Sequence, residues 1–254
     1  NHDAWKTQHF SKKKKDGVQL QLECLGDEHV GYRCLDFPSL KISIVGGRPF
    51  SVGGDKLFRD TLLSARFGVQ DMEQSARRIY NVALGAPEDH LIIILAHNGP
   101  TGLGSNPNDI CGKDWIFGSG GDHGDPDLAK AISRLKDSAK VDIPLVVFGH
   151  MHKELAHRAG DRKMLVVGTD DIMYLNGAIV PRVKRMAHEP ITTERSPAAG
   201  VTSPSSAERR GTLRAFTLVE ILNGGVDKVA ETWVSVSGEV TKVEVEEVLF
   251  KRVT

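Results

Sequence analysis

"HLIIILAHNGP", residues 90–100, is an uninterrupted apolar run that ends abruptly on a histidine, an asparagine and a glycine. A strand apolar on both faces is one buried in a parallel sheet, and such a strand delivers polar side chains to a site at its C-terminal end. The pattern returns in "IPLVVFGHMH", residues 143–152, which again closes on glycine and histidine. Laid parallel and side by side, the two strands would bring His97 close to His150. Between them, "DPDLAKAISRLKDSAK", residues 125–140, has helical periodicity, with Asp125 as N-cap and Pro126 at the first helical position. Strand, helix, strand in that order reads as an α/β protein rather than a helical bundle or a set of hairpins.

The same alternation extends in both directions. Upstream, "GVQLQLECLG" (residues 17–26) has a helical apolar spacing and a glycine stop, while "HVGYRCLDF" (29–37) and "LKISIVGG" (40–47) read as strands. Helices are expected in "DKLFRDTLLSARFG" (55–68) and in "DMEQSARRIYNVALG" (71–85), the latter capped by Asp71. Downstream, "KMLVVGT" (163–169) and "IMYLNGAIVPRVKR" (172–185) are strand-like, and two strands, "LRAFTLVEI" (213–221) and "KVAETWVSV" (228–236), close the chain. Residues 187–211 are rich in Pro, Ser, Thr and charge without periodicity, and read as a disordered insertion in what is otherwise a single domain spanning 1–254.

Composition narrows the function classes. With 254 residues, 40% of them hydrophobic, the chain can bury a full core. Basic and acidic residues number 33 each, so no net field favours nucleic acid or an anionic membrane, and nucleic acid is disfavoured as a partner. The one charge run, Lys12 to Lys15, reads as a solvated loop. The longest apolar stretch, Leu91 to Ala96, is far short of the ~20 residues a membrane helix needs. Three cysteines without a C-x-x-C pair fit a reducing intracellular compartment rather than a disulfide framework. Glycines 46 and 47 and the glycines between 118 and 121 lack the Lys-Ser/Thr ending of a phosphate-cradling loop.

The chemistry resides in the histidines. In "GHMH", His150 and His152 are two residues apart, so an extended segment would send both from one face toward one metal or two adjacent ones. Adding His97 favours metal binding over a pair of surface or core histidines. Neutral imidazoles suit Zn, Fe or Mn, and carboxylate or amide oxygens would bias the site toward Mn, Fe or Mg. Around them, Arg48 after a strand either clamps a phosphate or serves a turn. Asn98 either bonds the substrate or holds a turn. Asp114, Asp122, His123 and Asp125, in the long loop from about Pro100 to Gly124, could line a substrate entrance. Asp125 also suits a helix cap. Cys111 has no basic partner that would make it a nucleophile.

"NHD" at residues 1–3, "AHNGP" around His97 and "GHMH" at 149–152, in that order, resemble the last three blocks of the calcineurin-like metallophosphoesterase superfamily: G-N-H-D/E, a lone strand-end His, and G-H-x-H. "VGGRPFS", "HNGPTGLG", "CGKDW", "GDHGDPDLA" and "YLNGAIVPR" are similar to a subgroup from cyanobacteria and plants, which admits a plastid as the compartment. The resemblance implies a four-layer αββα sandwich of two mixed β-sheets and hydrolysis of a phosphorylated substrate by a dinuclear-metal-activated hydroxide. It assigns Asn1, His97 and His150 to one of two divalent metal ions (Mn, Fe, Zn or Mg) and His152 to the other. His2 would protonate the leaving group, and Asp3 would orient His2 or cap a helix. It further implies that the D-x-H and G-D-x-x-D blocks, with the first βα units, lie upstream of Asn1. The chain would then be an N-terminally truncated fragment with an open sheet edge and little activity of its own. The rival reading is a catalytically incompetent binding or scaffold module on the same fold. A cupin barrel is opposed by the helices between strands, and a metallo-β-lactamase site by the missing Asp-His after "HMHKEL".

Overall fold

The computed structural model describes residues 15–115, 120–138, 141–186 and 211–253. The chain is α/β with two sheets and divides into two compact units, one running through Ala178 with Leu222–Val226, the other holding Ile179–Ile221 and Asp227 onward. No helix among the described residues is long and apolar enough to cross a membrane.

The first unit is built on a six-stranded mixed sheet. Its elements are α1 (Gly17–Leu25), β1 (Cys34–Phe37), β2 (Ile42–Gly46), α2 (Asp60–Phe67), α3 (Met72–Leu84), β3 (Leu91–Leu95), α4 (Pro126–Asp137), β4 (Asp142–Phe148), β5 (Leu165–Val167) and β6 (Met173–Asn176). The strand order is β1-β2-β3-β4-β6-β5. β2, β3, β4 and β6 run parallel, and β1 and β5 lie antiparallel at the two edges. The loops after β2, β3, β4 and β6 therefore all leave from one end of the sheet, where parallel sheets place their ligands. Ile92 and Ile94 of β3 and Val146 of β4 are fully buried among Leu63, Ile79, Leu128 and Leu135 of the helices, whereas Leu91 and Ile93 are only partly buried and Leu95 is exposed, so β3 is fully buried on one face rather than on both as its apolar run leads one to expect.

Helix boundaries follow local chemistry. Asp71 caps α3, its carboxylate accepting the Gln74 N–H at 2.7 Å. α1 stops at Gly26, as the sequence indicates. α2 is shorter than its apolar pattern, because Arg59 adopts a left-handed conformation (φ 59°) just before Asp60. Asp125 occupies the N-cap position of α4, yet its side chain makes no capping bond. It is drawn instead to Arg48, whose Nη2 lies 2.8 Å from Asp125 Oδ1.

Arg48 is 1% exposed. Its Nη2 also donates to Asp127 Oδ1 at 3.3 Å, and its Nε lies 3.1 Å from Asp127 Oδ2 without hydrogen-bond alignment. Asp127 accepts the Ser75 hydroxyl, and Ser75 Oγ is 2.6 Å from Tyr32 Oη. Ser51 donates to Asp125 at 2.6 Å. This buried polar chain joins the β2 exit, α3 and the start of α4.

The second unit carries β7 (Val183–Arg185), β8 (Thr212–Leu222), β9 (Gly225–Ser237) and β10 (Val240–Lys251) in the order β10-β9-β8-β7. This sheet is antiparallel rather than mixed; β8–β9 and β9–β10 are joined by two residues each, too few to carry a parallel crossover. Asn223 and Gly224, both with positive φ (48° and 79°), form the two-residue turn between β8 and β9. β10 was not among the strands expected from sequence. Its Val residues alternate with Lys and Glu and it is exposed along most of its length, the profile of a charged edge strand. Of the insertion expected at 187–211, residues 187–210 lie outside the described set. Gly211 accepts the Met186 N–H at 3.2 Å and so belongs to the β7–β8 pairing.

Burial, with Asp127 close by, pushes the Asp125 carboxyl up to about 7, against the opposing pull of Arg48 and of the Ser51 and Asn98 hydrogen bonds. The folded protein therefore holds a proton that the unfolded chain, with an ordinary carboxylate pKa of ~3.9, has already released. This contribution to stability is complete below that ordinary value and is lost as pH rises through about 7. Urea unfolding midpoints measured from about pH 5 to 8 should fall with pH in the wild type and fall less in Asp125→Asn. Parallel curves would show that Asp125 does not titrate in this way.

Candidate functional site

His97 follows β3 and His150 follows β4, and the parallel pairing of those strands sets both at one sheet end. The turns are tied together: the Gly149 N–H donates to the His97 carbonyl at 3.1 Å, and the Ala96 N–H to the Val147 carbonyl at 2.9 Å. The His97 and His150 rings lie 5.2 Å apart between centroids, tilted by 46°.

The "GHMH" segment is not extended. β4 ends at Phe148, and His150 has φ 67°, a left-handed conformation that costs energy for a residue with a Cβ. The same-face rule of a strand therefore does not relate His150 to His152. The turn still sets both on the wall of one cavity of about 630 Å³, together with Asp114, Trp115, His123 and Arg162. His152 is exposed and His150 is half-buried.

His123 is the third ring of the group. It stacks at 6.4 Å from His150 with an interplanar angle of 26°, and meets Trp115 edge-on at 4.6 Å. Its Nε2 hydrogen bonds to the Val52 carbonyl. A carbonyl only accepts, so Nε2 carries the proton and the neutral ring keeps its lone pair on Nδ1. Burial lowers the pKa of His123 and pushes that of His150 down to about 4, so both rings are neutral at physiological pH.

Neutral imidazoles are the form that binds metals. Two of them on one tetrahedral ion, at the ~2.0–2.1 Å typical of Zn–N bonds, would have centroids about 5 Å apart, which matches the His97–His150 pair. Among the described residues, however, no three His, Cys, Asp or Glu side chains converge as a metal-binding group. The described residues supply a two-imidazole donor pair with His152 on the same cavity wall. Asn1, His2 and Asp3, which the resemblance assigns to metal and proton transfer, lie outside the described residues.

The remaining candidates separate clearly. Arg48 is enclosed by Asp125 and Asp127 and does not line the cavity, so its phosphate-clamp reading gives way to a structural one. Asn98 is fully buried; its Nδ2 donates to the His123 carbonyl at 2.9 Å and more weakly to Asp125 at 3.4 Å. Asn98 Oδ1 is buried with no hydrogen-bond partner among the described residues. Asp122 accepts the backbone N–H groups of Gly102 and Gly124, ordering the long loop.

Arg162 escaped the sequence reading. Its Nη1 donates to the carbonyls of Pro107, Asp109 and Gly112, its Nε to the His152 carbonyl at 3.0 Å, and its Nη2 pairs with Asp114 at 3.2 Å. One side chain thus fastens the long loop to the histidine turn. In "AGDRKML" it follows no strand and no motif. Trp115 was noted only within "CGKDW", and its place in the cavity wall depends on that loop.

Gly53 (φ 79°) passes so close to His123 that a Cβ would overlap both the imidazole ring and the His123 carbonyl. Gly53→Ala should lower stability by about 1–3 kcal/mol and shift the His123 ring resonances in an NMR spectrum. An unchanged urea midpoint and an unshifted spectrum would contradict this packing.

No family model matches the chain, and no curated protein matches it significantly.

Proposed function

We propose that the chain is a metal-dependent phosphoesterase of the calcineurin-like kind, with the four-layer αββα arrangement of that superfamily. The observation that carries this reading is the His97–His150 pair, set side by side by the ends of adjacent parallel strands, with His150 lining a cavity that His152 also lines. His97 and His150 would be imidazole donors for one divalent ion, with Asn1 joining them on the resemblance alone, and His152 would be a donor for the second. Mn, Fe, Zn or Mg, when bound, would supply a hydroxide nucleophile at neutral pH and neutralise charge on a phosphoryl group. His2 holds the proton for the leaving oxygen and Asp3 orients it. His123, its Nε2–H committed to Val52, presents Nδ1 as a hydrogen-bond acceptor.

A second reading has a specific observation in its favour. Because no three donors converge among the described residues, a module that binds phosphorylated ligands without turnover also accommodates the site.

The two readings separate in one experiment. The chain is incubated with Mn, Fe or Zn, freed of excess metal, and assayed for metal content and for hydrolysis of an aryl phosphate. Under the enzyme reading the wild type retains metal and shows weak turnover that depends on the histidines. His97→Ala and His150→Ala, folded by circular dichroism, should bind metal at least about tenfold more weakly and lose hydrolysis. Metal retention that ignores both histidines, or metal-loaded protein without turnover, would favour the binding module.

A further inference from the structure

Trp115 is 45% exposed, and it lines the same cavity as His123, His150 and His152. A large apolar ring left open to water inside a cavity is a contact surface for something planar. Its position is held from several sides. His123 meets its edge at 4.6 Å, and the Lys113 ammonium lies 5.8 Å from its ring centroid. The neighbouring Asp114 is locked by Arg162 at 3.2 Å and by the Ala156 N–H at 2.7 Å. The cavity, about 630 Å³, falls in the range of ~300–1,000 Å³ that takes a drug-sized ligand. Space therefore remains beyond a phosphoryl group held near the histidines.

We infer that Trp115 is the stacking platform for a planar aromatic ring in the substrate, so that the preferred substrates are phosphoesters whose alcohol portion carries such a ring. The inference rests on the phosphoesterase reading and narrows its substrate class. Lys113 places positive charge beside the platform, which suits an anionic ligand, and His123, whose Nε2–H is held by Val52, keeps Nδ1 as an acceptor. An aryl ester and a nucleotide share this chemistry: the first has its ring directly on the phosphoryl oxygen, the second one sugar away.

The test is equilibrium binding of unreactive analogues to the whole chain in the presence of Mn, followed by calorimetry. Phenylphosphonate is compared with cyclohexylphosphonate, which has the same headgroup and ring size without planarity. The phosphonate analogue of adenosine 5′-monophosphate is compared with that of ribose 5-phosphate. Stacking should favour the planar member of a pair by about five- to tenfold. A preference in the first pair identifies an aryl ester, and one in the second a nucleotide. Trp115→Leu should erase the preference and Trp115→Phe should keep most of it, both variants being checked for folding. No preference in either pair, or a preference that survives Trp115→Leu, overturns the inference. A chain that hydrolyses planar and non-planar esters alike loses the platform and keeps the phosphoesterase reading. A chain that binds the planar analogues selectively through Trp115 yet hydrolyses nothing keeps the platform and loses that reading.

Discussion

A single buried guanidinium organises the candidate site. Arg48 leaves β2 and turns inward between Asp125, at the N-cap of α4, and Asp127 in its first turn. A charge removed from water in this way must be paired, and loss of one partner typically costs ~3–5 kcal/mol. The pairing has a geometric effect beyond its energy. It pulls the β2 exit onto the start of α4, so that Ser51 reaches Asp125 and Val52 meets His123. Asn98, next to His97, bonds the His123 carbonyl from the other side. His123 is thereby positioned by a chain of contacts that begins at Arg48.

Arg162 supplies the second fastening. Its donors are shared among three carbonyls of the long loop, the His152 carbonyl and the Asp114 carboxylate. The planar guanidinium fork can do this where a lysine, with one point charge, could not. The two arginines act on different parts of the same loop: Arg48 through Asp125 at its exit, Arg162 through Pro107 to Gly112 in its middle. A loop of this length is usually mobile or functional. Here two buried cations and the Asp122 side chain fasten its described residues beside the histidines.

What the sequence disclosed follows from how local each feature is. The apolar runs of β3 and β4 and the periodicity of α3 and α4 are written in consecutive residues, and so were their positions and the meeting of His97 with His150. Asp71 was legible as a cap because capping is a contact over three residues. Asp125 has the same local signature, but a guanidinium from far along the chain outcompetes the helix N–H groups. The left-handed conformation of His150, the role of Arg162 and the exposure of Trp115 depend on partners that lie tens of residues away or on the course of a loop. No spacing rule reaches them. β10 was missed for a different reason: an edge strand with charges on alternate positions lacks the apolar run by which the buried strands were recognised.

The costs concentrated around the histidines point to use rather than to folding. His150 sits at φ 67° and is half-buried, with its charged form disfavoured. A backbone in that region costs of order 1–3 kcal/mol unless the surroundings impose it, and such strain clusters at functional sites. Glycine at this position would relieve the strain, and an apolar side chain would avoid the desolvation cost. Asn98 Oδ1, next to His97 and buried without a hydrogen-bond partner among the described residues, is a further cost. None of these features improves the core, which is complete in the strands and helices behind them. A sequence that keeps the neutral imidazoles of His123 and His150 against one cavity, at the price of strain and unmet polarity, is one whose stability has been set below its optimum for the sake of what the cavity holds.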